Sequence, residues 1–164
     1  DGIEHGAVLT ERALDIMNER NVYYVPTASG VTAVAEKERR NGRASLADMM
    51  RKYVVDPQRE SIQKARQRGI LIGAGSDTLG SIPEEFLILQ ECGLTPYEAL
   101  QTATINAAKI LKNEDRFGTI ECGKVADLVL LKGNPLEDLQ SITDVQRVFL
   151  GGEEVNEKWM CNLQ

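Results

Sequence analysis

Apolar residues recur at helical spacing near the start of the chain: Ala13, Leu14 and Met17 follow Thr10, a residue type that caps helix N-termini. The pattern predicts a helix from Thr10 to about Arg20. Residues 1–4 read as the tail of a strand running into His5-Gly6, and Val22–Pro26 is a short β-rich run ended by proline. One helix between two strands is the sequence form of a βαβ unit. A helix is then compatible with Ser45 to Tyr53. Another is predicted to start at Asp56-Pro57, with Asp as N-cap and Pro in the first turn, and to run to Arg68, where Gly69 occupies the place of a capping glycine. Ile70–Ala74 is apolar without alternation, as suits a strand of a parallel sheet buried on both faces. Capping-box spacing at Ser81/Glu84 and Thr95/Glu98 predicts helices to about Glu91 and Ala103, and a further helix covers Ile105–Lys112.

Beyond Phe117 the pattern changes. Gly118, Gly123, Gly133, Gly151 and Gly152 punctuate short β-rich runs at Asp127–Leu131, Val145–Leu150 and Glu154–Glu157, with a turn near Leu136–Leu139. The expected domains are therefore residues 1–113, alternating α/β, and residues 114–164, a small β unit. Residues 28–45 are mixed, and the charged run from Glu36 to Arg40 reads as a solvated helix face or loop without functional weight.

Composition narrows the function classes. With 42% apolar and 27% charged residues, the 164-residue chain has the make-up of a globular protein with a real core. A net charge of −6 disfavours nucleic acid as a partner, since phosphate binding needs a basic face. No apolar run reaches the ~20 residues that cross a bilayer, no signal-peptide pattern opens the chain, and a start at Asp1 implies removal of something upstream. Cys92, Cys122 and Cys161 are scattered and odd in number, which reads as reduced thiols of a cytoplasmic protein, each a small buried apolar residue.

Two residues stand where chemistry is expected. His5 follows one strand directly and Asp77 follows the apolar strand Ile70–Ala74, so both open onto the end of a parallel sheet where loops build sites. Imidazole and carboxylate are common ligands of zinc and similar divalent ions. A lone His is nevertheless more often a structural hydrogen-bonder, and a lone Asp after a strand more often a cap or turn residue. Placement alone defines an α/β protein with a candidate site near His5 and Asp77.

The wording of these segments goes further. Ile3-Glu4-His5-Gly6 resembles the strand-6 histidine segment of amidohydrolases, and Leu71–Asp77 resembles their strand-8 segment, which ends in a catalytic aspartate. Leu94–Leu100 and Thr104–Ala108 are similar to the helices that follow, and Gly118–Val129 to the return into a small β-sandwich. The resemblance spans nearly the whole chain in the correct order and lies nearest the imidazolonepropionase-like and prolidase-like branch. It implies an α/β fold made of C-terminal strands 6–8 of a (β/α)8 TIM-type barrel, followed by part of the sandwich. It also implies a metal-dependent hydrolase of amide or other C–N bonds, acting on a dipeptide or cyclic amide. The divalent metal, zinc first and one or two ions in the longer parent, would be held by His5 and Asp77, with Asp77 also the catalytic proton carrier.

The family's pattern includes a His-x-His pair on the first strand, often a carboxylated lysine on the fourth and a histidine on the fifth; none of those histidines is here, since His5 is the sole histidine. Two ligands fall short of the usual three, so the chain alone is expected to bind metal poorly and to be inactive. Three strands also leave open edges, which predicts self-association or pairing with a missing N-terminal half. Tyr24, Thr27, Thr78 and a loop at 28–45 are expected at the mouth. The alternative is a non-enzymatic shortened barrel kept for binding or structure. Nucleotide binding through Gly73-Ala74-Gly75 fails because Thr78 replaces the third glycine of the fingerprint and no P-loop lysine follows.

Overall fold

The computed structural model describes residues 1–155. Strand β1 (Gly2–Glu4), helix α1 (Glu11–Glu19) and strand β2 (Tyr23–Val25) form a parallel βαβ unit, with Gly2, Ile3 and Glu4 opposite Tyr23, Tyr24 and Val25. Thr10 starts α1 by accepting a hydrogen bond from the Ala13 amide. A third extended segment lies on the other side of β2. Tyr24 donates its amide to the Leu71 carbonyl and accepts from the Gly73 amide, both at 2.9 Å. Only Ile72 makes a parallel bridge, so Ile70–Ala74 is not the full strand that its apolar run predicts. Its outer edge meets helices instead: the Asn106 side chain donates through Nδ2 to the Ile72 carbonyl, and the Ala74 backbone amide donates to the Thr102 carbonyl.

Residues 28–40, expected as loop or mixed structure, form α2 (Ala28–Arg40). Helix α3 (Ala44–Met50) does not stop before Asp56. A wide π-type turn at Arg51–Val55 carries it directly into α4 (Asp56–Gln67), and Asp56 is itself helical with φ −65° and ψ −45°. Pro57 has no N–H to give and its ring crowds the preceding turn, a conflict that a locally widened helix relieves, so Asp56 is no N-cap. At the far end Gly69, at φ +71°, closes α4 with a Schellman pair: its amide donates to Arg66 and that of Ile70 to Ala65. Helices α5 (Ile82–Glu91), α6 (Pro96–Thr102) and α7 (Ile105–Ile110) complete this region, with Thr95 and Glu98 forming a reciprocal capping box.

The core gathers Leu14 and Met17 of α1, Ile62 and Ala65 of α4, and Ile88 and Leu89 of α5 around Tyr24, Ile70 and Ile72. Burial of a side chain such as Leu14 or Ile62 contributes about 1.5–3 kcal/mol. Cys92 joins this core, and burial pushes its thiol up to about 11, which keeps it protonated at neutral pH. Cys122 is exposed, contrary to the expectation of a buried residue, because it lies in a turn after Gly118 rather than in an element with a core face. Cys161 lies outside the described residues.

After α7 the chain builds an antiparallel sheet of β3 (Leu128–Leu131), β4 (Val145–Leu150) and β5 (Glu153–Glu154), with a short 3-10 turn at Leu139–Thr143 before β4. The last strand starts one residue before the expected Glu154, and positions 156 and 157 lie outside the described residues. The molecule is thus mixed α/β, and among the described residues no helix is long and apolar enough to cross a membrane.

Candidate active site

Because β1, β2 and the 70–74 segment run parallel, their C-terminal ends share one side of the molecule. His5 follows β1 directly, Thr27 stands two residues past β2, and Asp77 follows the third segment. All three have left-handed backbones, at φ 66°, 53° and 53°. For non-glycine residues this conformation costs on the order of 1–3 kcal/mol each and persists only where surroundings enforce it.

The surroundings of His5 do enforce it. Its amide donates to the Val25 carbonyl at 3.0 Å, and its carbonyl accepts from Gln58 Nε2 at 2.7 Å. Gln58, buried on α4, also donates to the Pro26 carbonyl at 2.6 Å, so one amide group clamps the ends of β1 and β2 together. The Tyr24 hydroxyl donates to the Gly6 carbonyl at 3.0 Å. Burial foremost, then the nearby Glu85 charge, pushes that phenol above its ordinary range and keeps it a donor. Tyr24 is thus a fully buried support, not a mouth residue.

The imidazole is held as firmly as the backbone. Thr27 Oγ1 lies 2.7 Å from His5 Nδ1 and 2.7 Å from the Pro26 carbonyl oxygen. A carbonyl can only accept and a hydroxyl has one proton, so Thr27 donates to Pro26 and accepts from Nδ1–H. The bonding pattern therefore assigns the proton to Nδ1 and leaves a lone pair on Nε2, which has no hydrogen-bond partner among the described residues.

Asp77 is exposed, and its carboxylate has no hydrogen-bond or ion-pair partner among the described residues. Its position follows from a close approach of backbones. A Cβ on Gly30, in the first turn of α2, would stand 2.7 Å from the Ser76 carbonyl oxygen and 3.3 Å from Asp77 Cβ, so only glycine lets the 76–80 loop lie against α2. His5 and Asp77 thus flank Thr27 on one end of the sheet without touching each other. Among the described residues no group of three His, Cys, Asp or Glu is placed to hold a metal ion. Thr78 is exposed beside Asp77, while Thr27 is buried and occupied with His5. The roles of Thr27, Gln58 and Tyr24 have no short-range sequence signal; only the capping preference of threonine before a helix marks position 27.

The amidohydrolase family model matches residues 1–155, and the chain belongs to the amidohydrolase family. Among solved structures it is similar to a Xaa-Pro dipeptidase with bound methionine in its active site, at a TM-score of 0.85 and 35% identity over 95% of this chain and 40% of that one. It is 28% identical over 160 residues to an ochratoxinase of Aspergillus niger, covering 92% of this chain and 33% of that protein. An imidazolonepropionase of Symbiobacterium thermophilum is 44% identical over 70 residues, 38% of this chain and 16% of that protein. The chain thus spans about a third of the length of the ochratoxinase it matches.

Proposed function

We propose that the chain is the C-terminal part of a metal-dependent hydrolase of amide or other C–N bonds. On this reading residues 1–113 carry strands 6 to 8 of a (β/α)8 barrel and residues 114–164 part of a small β-sandwich. His5 and Asp77 are two positions of its metal site. The observation that carries the proposal is the placement of His5 and Asp77 past two parallel segments on either side of β2, each backbone held left-handed and each side chain with an unengaged donor atom. An imidazole of fixed tautomer and an exposed carboxylate are donors suited to zinc or a similar divalent ion.

His5 would hold the ion through Nε2, while Thr27 keeps the proton on Nδ1. When bound, the ion supplies polarisation of the scissile carbonyl and a more acidic water. Asp77 accepts the proton of the attacking water at a carboxylate oxygen and returns it to the leaving nitrogen. A dipeptide substrate is supported by the likeness to the Xaa-Pro dipeptidase.

Two donors do not complete a catalytic site, so activity is proposed for the protein joined to its N-terminal part, not for this chain alone. That part would also cover an apolar groove of about 870 Å³ lined by Phe86, Leu100, Leu111, Phe117, Leu130 and Phe149. The test is to co-produce the chain with the N-terminal portion of its parent polypeptide and assay Xaa-Pro dipeptides with zinc or manganese present. Hydrolysis should appear, and His5→Ala or Asp77→Asn should lower kcat/KM by roughly 10²–10⁴-fold. A second reading, a non-enzymatic binding or structural module, is favoured by the lack of a third ligand among the described residues. A stable complex of the two parts without hydrolysis would select it.

A further inference from the structure

Glu85 lies on α5 and is completely buried, with no cation paired to it among the described residues. Its carboxylate accepts from the Ala28 amide at 3.1 Å through Oε1 and from the Ser29 amide at 2.7 Å through Oε2. These are the first two amides of α2, groups that have no partner within a helix. An N-cap side chain ordinarily accepts from the second or third amide, and the N-cap here is Thr27. Yet Thr27 makes no capping bond: its backbone is left-handed where a cap is usually extended, and its hydroxyl serves Pro26 and His5. A carboxylate from another helix has taken the Ser29 amide, one of the two that an N-cap threonine ordinarily binds.

We propose that Glu85 is a positioning residue for the candidate site: by capping α2 in place of Thr27, it releases the Thr27 hydroxyl to fix the Nδ1–H tautomer of His5. The functional weight of this rests on the reading of His5 as a ligand; the tautomer itself does not. Burial pushes the Glu85 carboxyl above its usual range, against the pull of the Ser29 and Ala28 amides, so its retention in the core is a cost that those two bonds must offset. Without the carboxylate the Ser29 amide becomes available to the Thr27 hydroxyl as an ordinary capping partner, leaving His5 unconstrained.

The chain has a single histidine, so long-range 15N–1H correlation spectra of the labelled imidazole read this tautomer without ambiguity. Spectra are recorded without metal and at alkaline pH, where an imidazole is neutral. The wild-type chain should show the Nδ1–H form, and both Glu85→Gln and Thr27→Val should reverse the dominant form to Nε2–H, the one favoured by free histidine. Leu89→Ala, on the same helix and equally buried, should unfold earlier yet leave the tautomer as in wild type. Should Glu85→Gln fail to fold, Glu85→Asp, too short to reach both amides, gives the same reading. A wild-type tautomer in the folded Glu85 variant would overturn the proposal and leave Glu85 as a plain helix clamp. Failure of the hydrolase reading would show separately, as an inactive two-part complex with this tautomer shift intact.

Discussion

Residues 1–113 and residues 114–155 are built from similarly apolar sequence and reach opposite outcomes. In the first region α1, α4 and α5 enclose a core in which Leu14, Tyr24, Ile62 and Leu89 are wholly buried. In the second, Leu139 is the only buried residue among those described. Val129, Leu130, Val145, Val148 and Leu150 all remain exposed. Strand β4 alternates no more cleanly in burial than in sequence, and among the described residues the groove between its sheet and α5–α7 stays open. A sheet gains stability by burying at least one face, and three short strands cannot do so by themselves. The candidate site therefore rests on the region that carries its own core, while the small sheet leaves most of its apolar residues exposed among the described residues.

That contrast can be broken by mutation. The largest effect belongs to Ile62→Ala, which should cost about 2–5 kcal/mol in urea unfolding because the cavity lies inside a closed core. Gly30→Ala should cost about 1–3 kcal/mol, since its Cβ meets the Ser76 carbonyl, and the Asp77 amide resonance should shift with it. Thr95→Ala removes one half of the α6 capping box and should cost roughly 1 kcal/mol. The carboxyl of Glu98, the other half, is held below its ordinary 4.5 by the Thr95 amide first and by Arg66 next. Its contribution is present above pH 4.5 and is lost as pH falls through the depressed value, so Glu98→Gln should flatten that acid-side loss. Leu150→Ala, in the small sheet, should stay within about 0.5 kcal/mol. An Ile62→Ala cost as small as that of Leu150→Ala would dissolve the distinction between the two regions.

Three helix starts are legible in the sequence because each signal is local. Thr10, Ser81 and Thr95 cap amides only three positions ahead, and Gly69 ends α4 through its own φ. The βαβ unit is legible for the same reason, from one amphipathic helix between two β-rich runs. Helix α2 escapes the reading because its apolar face is interrupted by charges, and its first turn is stabilised by Glu85, 57 residues from Ala28. The π-type turn at Arg51–Val55 escapes it because Asp56-Pro57 has the form of a helix start while the chain is already helical. Placement at strand ends draws attention to His5 and Asp77. The groups that hold them, Thr27, Gln58, Gly30 and Glu85, act across tertiary contacts that no spacing rule encodes. Family resemblance supplies the ligand roles that are proposed for them; periodicity does not.

His5 and Asp77 are proposed as two positions of a metal site that another part of the parent polypeptide completes. Zinc content after dialysis against a weak chelator tests this most directly, on the chain alone and on its complex with the N-terminal portion. Far less than one zinc is expected per chain alone and about one or two per complex, lost in His5→Ala and Asp77→Ala. One tightly held zinc on the isolated chain, unchanged by either substitution, would contradict it.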